Sequence, residues 1–337
     1  MVALEQHVQT VSRSFAMVIN QLREPLRHEV QVAYLLFRLG DNIEDTSSLA
    51  PDEKRDLLGG LLRAFQHGEP FGDVLRARQA SEWQDLTDDE RRLFAATDTI
   101  IRSFGELSAE ARRALLDEAQ AMFQGMARVQ GACREGRYLV LPDTAALEEY
   151  CYYVAGTVGD YLTRRFLAQL PGLDATPHAQ LLGARRSLAL VLQVTNILRD
   201  VRDDHDHGHI FYPRSCFDRF DAERLMTPEY RPEVLRAGDR MVRWLLPHIR
   251  LASAYILGLP AAQVSLRLFC IVPYVMALKT LAAAVNQPAL TGPTPIKIPR
   301  SETLRTVLVA RTLAPFDLAL RPWFRSLWRE VEERLAP

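Results

Sequence analysis

Apolar residues recur every three or four positions along nearly the whole chain, and no stretch alternates apolar with polar residues between hairpin turns. The pattern predicts an all-α protein in which β structure is minor. Candidate helices cover 4–21, 25–46, 51–67, 88–104, 108–135, 143–169, 176–205, 213–219, 221–225, 228–257, 260–287 and 301–333. Proline and glycine supply the breaks, at Pro25, Pro51, Gly68 with Pro70, Pro142, Pro171 with Gly172, Pro213, Pro228, Pro260 and through 288–299. Pro315 and Pro322 are expected to kink or divide the last helix. No linker is Ser/Gly-rich enough to separate domains and no internal repeat is visible, so residues 1–337 are read as one helical domain.

Two stretches raise the question of a membrane. The longest uninterrupted apolar run is the eleven residues 268–278, LFCIVPYVMAL, bounded by Arg267 and Lys279. A spanning helix needs about 20 such residues, so this run reads as a core helix and no transmembrane segment is expected. The C-terminal stretch carries Trp323, Phe324 and Trp328 among Arg321, Arg325 and Arg329. Two readings stay open for it, an aromatic face packed on the core or a helix lying on a membrane surface.

Composition narrows the function. With 41 Lys+Arg against 42 Asp+Glu the formal charge is −1, without a long basic block, which argues against a nucleic-acid binder. The four cysteines, Cys133, Cys151, Cys216 and Cys270, lie far apart with no CxxC pair, so neither a disulfide framework nor a thiolate metal site is indicated. The first residues lack a basic segment followed by an apolar one, and a cytosolic location is expected.

The first chemically informative segment is YLLFRLGDNIEDT (34–46), where Asp41, Glu44 and Asp45 fall at helical spacing, with Tyr34 and Arg38 continuing the same face. The second is LALVLQVTNILRDVRDDHDHG (188–208), with Gln193, Asn196, Asp200, Asp203 and Asp204 on one face of a strongly apolar helix. A single acidic pair four residues apart is ordinary on a solvated helix. Two such sets on core-like helices, each beside an arginine (Arg38, Arg199), call for a cation, because buried carboxylates without a counter-charge are costly. Oxygen ligands without thiolates favour Mg²⁺, which usually takes a few carboxylates plus substrate phosphates, so the implied substrate is a diphosphate.

Five motifs in order resemble the squalene and phytoene synthase family of head-to-head prenyl-condensing enzymes: SRSF (12–15), DNIED (41–45), YCYYVAGTVGDYL (150–162), QVTNILRD (193–200) and RDVRDD (199–204). The resemblance runs from about residue 10 to about residue 300. It implies an isoprenoid-synthase helical fold around a central cavity, with two aspartate-rich helices at the mouth holding Mg²⁺ and, through it, two prenyl diphosphates. Carried over position by position, Asp41, Glu44 and Asp45 match the first metal-binding motif, and Asp200, Asp203 and Asp204 match the second. Ser12, Arg13, Ser14, Arg38 and Arg199 match positions near the diphosphates, Gln193 and Asn196 accompany the second motif, and Tyr150 matches a tyrosine tied to proton removal or cation stabilisation. Gly156 and Gly159 are expected to leave room for a prenyl chain, and Cys151 to serve packing.

Within the family, 267–287 and IKIPR (296–300) look like the reductive, squalene-forming branch, which implies NADPH near Phe269, Lys297 and Arg300. No GxGxxG follows a strand, so a Rossmann site is absent. Two positions depart from the branch: Pro299 stands where a second basic residue is frequent, and His209 stands where an arginine is usual. The expected reaction joins two farnesyl diphosphates to presqualene diphosphate and reduces it to squalene, with peripheral membrane contact for product release. A nonreducing member making presqualene diphosphate, dehydrosqualene or phytoene is the first alternative, and a noncatalytic lipid-binding or assembly protein the second. A transition-metal site at His205, His207 and His209 is a further, minor reading.

Overall fold

The computed structural model describes residues 2–46, 48–78, 83, 86–292, 294 and 296–335, without the side chains at positions 2, 3, 13 and 14. The chain divides into two compact groups of residues. One is Met1–Gly131 with Asp160–Gln169, the other Ala132–Gly159 with Leu170–Pro337.

The first group holds α1 (Val2–Val11), α2 (Arg13–Ile19), α3 (Leu26–Asp45), α4 (Pro51–His67), α5 (Gly72–Arg76), α6 (Asp88–Ala95), α7 (Thr97–Gly105) and most of α8 (Ala109–Ala132). The expected single helix over 4–21 is broken because Ser12 is extended (φ −160°, ψ 101°) and its hydroxyl accepts from the Phe15 amide, capping α2. Thr87 and Glu90 form a reciprocal capping box at the start of α6. At α4, Pro51 occupies the first turn and Gly68 ends the helix in the left-handed region (φ 71°). Helix α3 is the centre of this group. Leu35, Leu36, Leu39 and Ile43 are fully buried, and Gly40 lets the Phe123 ring of α8 come so close that a methyl group there would stand 2.2 Å from Cε1. A buried two-pronged pair, Arg165 Nε to Glu29 Oε2 at 2.8 Å and Nη2 to Oε1 at 3.1 Å, ties α3 to residues 160–169.

The second group holds α9 (Thr144–Cys151), a π-helical turn (Tyr152–Gly156), the start of α10 (Thr157–Ala168), α11 (Ala175–Ala184), α12 (Ser187–Arg199), α13 (Val201–Asp206), α14 (Arg231–Gly258), α15 (Val264–Ala284), α16 (Arg300–Leu313) and α17 (Asp317–Leu335). The expected helix over 143–169 is thus interrupted by the wider turn, and the one over 176–205 is three helices. Pro315 divides the last helix, whereas Pro322 sits within α17. A small sheet joins β1 (Arg134–Glu135) antiparallel to β2 (Tyr138–Val140) and β2 parallel to β3 (His209–Ile210), with Gly136 at φ 62° in the two-residue turn. α12 packs on α14 and α15.

α15 is long and apolar enough to cross a membrane by length and composition, yet 78% of its most apolar window is buried in the fold. Its Arg267, 1% exposed, donates to the carbonyls of Leu259 and Ala314 and to the Asp317 carboxylate, clamping the α14–α15 and α16–α17 corners together. On α17, Phe324 is fully buried and the Trp328 indole donates to the Tyr274 hydroxyl at 2.6 Å. The aromatic face of the C-terminal helix therefore packs inward, the first of the two readings it left open.

Candidate active site

Helix α3 presents its polar stripe as the spacing predicts. Tyr34, Arg38 and Asp41 are half-buried and Asp45 is exposed, while the opposite faces are sealed in the core. A hydrogen bond links the Tyr34 and Ser12 side chains, and the Phe15 ring stacks on Tyr34 at 5.6 Å, so the cap of α2 is brought to the head of the stripe. The side chains of Arg13 and Ser14 lie outside what the structure describes.

Burial pushes the Asp41 carboxyl from 3.8 up to about 7, with Arg38 pulling it down and Asp45 pushing it further up. Burial works against the Arg38 cation, but Asp41, Asp45 and Glu90 outweigh it and hold Arg38 above its ordinary value. Arg38 donates from Nη2 to Glu90 of α6, and its buried Nε has no partner among the described residues. Glu90 was not among the sequence candidates. Its signal was local, as the last residue of the T-x-x-E capping box, but nothing in the sequence placed α6 beside α3.

Glu44 differs from its neighbours. It is 3% exposed, its Oε1 accepts from Gln130 Nε2 at 2.6 Å, and the Lys54 ammonium donates to its backbone carbonyl. At 100° per residue Glu44 falls about 90° from the centre of the Tyr34–Arg38–Asp41–Asp45 stripe, which is why it turns toward α4 and α8. Burial raises its carboxyl, opposed by Gln130 and Lys54.

The second carboxylate segment is built differently. Asp200 ends α12 and begins α13 with a non-helical backbone (φ −100°, ψ 13°). Arg199 closes a two-pronged pair on Asp200, with Nε to Oδ1 at 2.7 Å and Nη2 to Oδ2. The buried Tyr212 hydroxyl donates to the Leu198 carbonyl at 3.2 Å, satisfying an acceptor the break sets free. Gly238 of α14 makes room for this, since a methyl there would lie 3.1 Å from Leu198 and 3.4 Å from the Tyr212 hydroxyl. Tyr212 and Gly238 were invisible as site-builders in the sequence, because both act from a distance along the chain. Asp204 and Gln193 are half-buried, Asn196 is exposed, and Asp203 is 80% exposed with the His207 ring beside it.

Tyr150 is buried and stacks on Phe211 at 4.5 Å and 16°. It leads into the π turn, a feature that occurs frequently at functional sites. Arg186 lies 4.1 Å over the Tyr152 ring, and Tyr153 donates to Glu149 at 3.2 Å. The expected space at Gly156 and Gly159 is occupied by protein. A methyl on Gly156 would stand 2.8 Å from the Tyr152 ring, and one on Gly159 2.8 Å from the Arg185 carbonyl oxygen, so these glycines serve close packing. Cys151 and Cys270 are buried thiols pushed well up by burial.

Of the residues in the reductive segment, Phe269 is buried on α15, while Lys297 and Arg300 are exposed and take part in no ion pair among the described residues. The histidine run disperses. His205 is buried with Nε2 on the Ala222 carbonyl at 2.8 Å, His207 is exposed with Nδ1 on the Asp203 carbonyl, and His209 lies in β3 against Phe211. Among the described residues no three His, Cys, Asp or Glu side chains gather around one point. Carboxylates with no soft ligand beside them could serve as donors to a hard cation that completes its shell with water and phosphate.

The chain is predominantly helical and carries two carboxylate-bearing segments, each flanked by a guanidinium. The whole-chain fold matches TcSQS solved with the ligand BPH1237 (TM-score 0.77, 23% identity, 98% of this chain and 97% of that one) and with E5700 (TM-score 0.76, 24% identity, the same coverage). The squalene/phytoene synthase family model matches residues 8–302, and the chain belongs to that family. It is 31% identical to squalene synthase ERG9 of Saccharomyces cerevisiae over 92% of this chain and 68% of that protein. It is 31% identical to squalene synthase 1 of Arabidopsis thaliana (90% and 70%) and 28% identical to the squalene synthase of Schizosaccharomyces pombe (94% and 66%). The chain thus spans about two thirds of the length of these curated relatives.

Proposed function

We propose that the chain condenses two farnesyl diphosphates head to head into presqualene diphosphate and reduces that product to squalene with NADPH. The observation that carries the reading is α3, a helix sealed in the core on every side except one, where Asp41 and Asp45 are presented with Arg38 three residues before Asp41. The squalene synthases to which the chain is similar supply the substrate class.

Asp41 and Asp45 would hold Mg²⁺ on the first segment, with Glu44 behind them, and Asp200, Asp203 and Asp204 would do so on the second. When bound, Mg²⁺ neutralises charge that builds on a departing diphosphate. Arg38, Arg199, Ser12, Arg13, Ser14, Gln193 and Asn196 would bind and orient the diphosphates, the guanidiniums by two-pronged contact with phosphate oxygens. Cleavage of the allylic C–O bond leaves the electron pair on the diphosphate and a carbocation on the carbon. That cation survives only where water is excluded, and the stacked Tyr150 ring offers it a π face and a hydroxyl for the departing proton. Lys297 and Arg300 would bind the phosphates of the nicotinamide cofactor, and Phe269 would pack against it.

The test is incubation of the purified protein with farnesyl diphosphate and Mg²⁺, with and without NADPH, followed by mass analysis of hydrocarbons and diphosphates. Squalene formed only with NADPH is the expected result. Presqualene diphosphate or dehydrosqualene formed regardless of NADPH would replace the reductive reading with the nonreducing one, and absence of turnover on any prenyl diphosphate would overturn both.

A further inference from the structure

Helices α14 and α17 pack together and leave between them a pocket of about 280 Å³ that no residue of the carboxylate segments lines. Its walls carry three guanidiniums, Arg250 from α14 and Arg321 and Arg325 from successive turns of α17, and no acidic side chain. Arg250 is already engaged by Glu332, its Nη2 to Oε1 at 2.7 Å. Arg321 and Arg325 are exposed and have neither ion pair nor hydrogen bond among the described residues. Two like charges one helical turn apart without a carboxylate repel, and an anion bridging them removes that cost.

Leu257, Ala254, the buried Phe324 and the Trp328 ring give the pocket an apolar wall, beside Gln180 and Ser253, and Trp328 is held in place by its bond to Tyr274. Leu318, 91% exposed, lies three residues before Arg321 on α17. An apolar wall beneath two arginines that have no partner among the described residues is an arrangement for a ligand with an anionic head and an apolar tail.

We infer that the α14–α17 pocket binds a phosphate-headed amphiphile, the head on Arg321 and Arg325 and the first methylenes along the apolar wall formed by Leu257, Ala254, Phe324 and Trp328. The planar guanidinium fork suits phosphate oxygens better than a point charge would. The same chemistry is offered by a phospholipid headgroup in a bilayer and by a free alkyl phosphate, and the experiment separates them.

Dodecyl phosphate below its micelle concentration is titrated calorimetrically into the full chain and into an Arg321→Ala/Arg325→Ala variant, with a nonionic dodecyl ether as the uncharged comparison. The variant is expected to bind dodecyl phosphate at least about tenfold more weakly, with an unchanged circular dichroism spectrum and unchanged turnover of prenyl diphosphates. Flotation with phosphatidylcholine vesicles, with and without phosphatidic acid, then assigns the source. Capture of the wild type by phosphatidic acid vesicles, reduced in the variant, makes the ligand a membrane lipid, whereas binding of dodecyl phosphate without vesicle capture makes it a free amphiphile. Equal binding of dodecyl phosphate by wild type and variant, or equal binding of the nonionic ether and the phosphate, would overturn the inference. An Arg321→Lys/Arg325→Lys variant that binds like wild type would reduce the site to net charge and remove the role of the fork.

Discussion

On α3 the carboxylates Asp41 and Asp45 stand on an unbroken helix and the neighbouring guanidinium, Arg38, is drawn to Glu90 on a second helix. At the end of α12 the helix breaks at Asp200, and Arg199 closes on Asp200 itself. The spacing of acidic residues is nearly the same in the two segments, but the charges are balanced in different ways. In the first, the arginine is shared with Glu90, and burial, only partly offset by Arg38, leaves Asp41 with a raised carboxyl. In the second, the counter-charge is built into the motif. A buried carboxylate short of positive charge is costly, so under the proposed reading α3 is the segment that a bound cation would stabilise more.

The largest effect that tests this contrast is on turnover. Asp41→Asn and Asp200→Asn are each expected to lower kcat/KM for farnesyl diphosphate by about a thousandfold or more, since each removes a charge from the proposed diphosphate-activating machinery. The stabilities should move in opposite directions. Asp41→Asn removes a buried charge and raises the melting temperature of the metal-free protein, while Asp200→Asn discards the Arg199 pair and lowers it slightly. Two melting curves without metal decide it, and equal shifts of one sign would dissolve the comparison.

Next in size is the packing that fixes α3. A methyl at Gly40 would stand 2.2 Å from the Phe123 ring, so Gly40→Ala must push α3 and α8 apart or turn the ring from its rotamer. The cost is expected to be about 1–3 kcal/mol, read from denaturant unfolding. Gly159→Ala in the second group meets a backbone carbonyl at 2.8 Å, which has less freedom to give way than a ring, and should cost at least as much.

The stripe on α3 was legible because it rests on one helix: Tyr34, Arg38, Asp41 and Asp45 follow from 100° per residue and nothing else. The all-α class and most helix positions were legible for the same reason. What the sequence withheld depends on contacts between distant residues. The helix break at Asp200 needs the Tyr212 hydroxyl, twelve residues on, and the space opened by Gly238 to be affordable, so 176–205 reads as one helix until those partners are in place. Gly156 and Gly159 read as open space because a missing side chain looks the same whether substrate or protein fills it. The contacts of Glu44 with Gln130 and Lys54 were not legible either, because they come from helices distant along the chain.

A pH titration of stability comes third. The folded Asp41 carboxyl keeps its proton up to about 7, whereas the unfolded chain releases it near 3.8. Between those values the native state binds more protons, so this group's contribution to stability is present at low pH and is lost as pH rises through about 7. Because Asp41 is partly reached by solvent, the loss in the metal-free protein is expected to be about 1–2 kcal/mol between pH 5 and pH 8. The slope should be smaller in Asp41→Asn, and added Mg²⁺ should restore more stability at pH 8 than at pH 6. A variant whose pH profile parallels the wild type would show that burial does not raise this carboxyl.

The smallest effect probes the sharing of Arg38 with Glu90. Burial alone would raise the Glu90 carboxyl, but the Thr87 backbone and hydroxyl and the Arg38 guanidinium together hold it below its ordinary value. Glu90→Gln keeps the capping box, because its one amide oxygen can accept from Thr87 as glutamate does, and it deletes both the charge and the acceptor that Arg38 uses. Arg38 then owes less of its field to α6 and more to an incoming diphosphate. The expected outcome is a KM for farnesyl diphosphate lowered by about two- to fivefold with kcat nearly unchanged, the difference shrinking as ionic strength rises. A raised KM would mean that Glu90 holds Arg38 in its binding orientation, and α3 would then resemble the α12 segment, with its own acidic partner required for function.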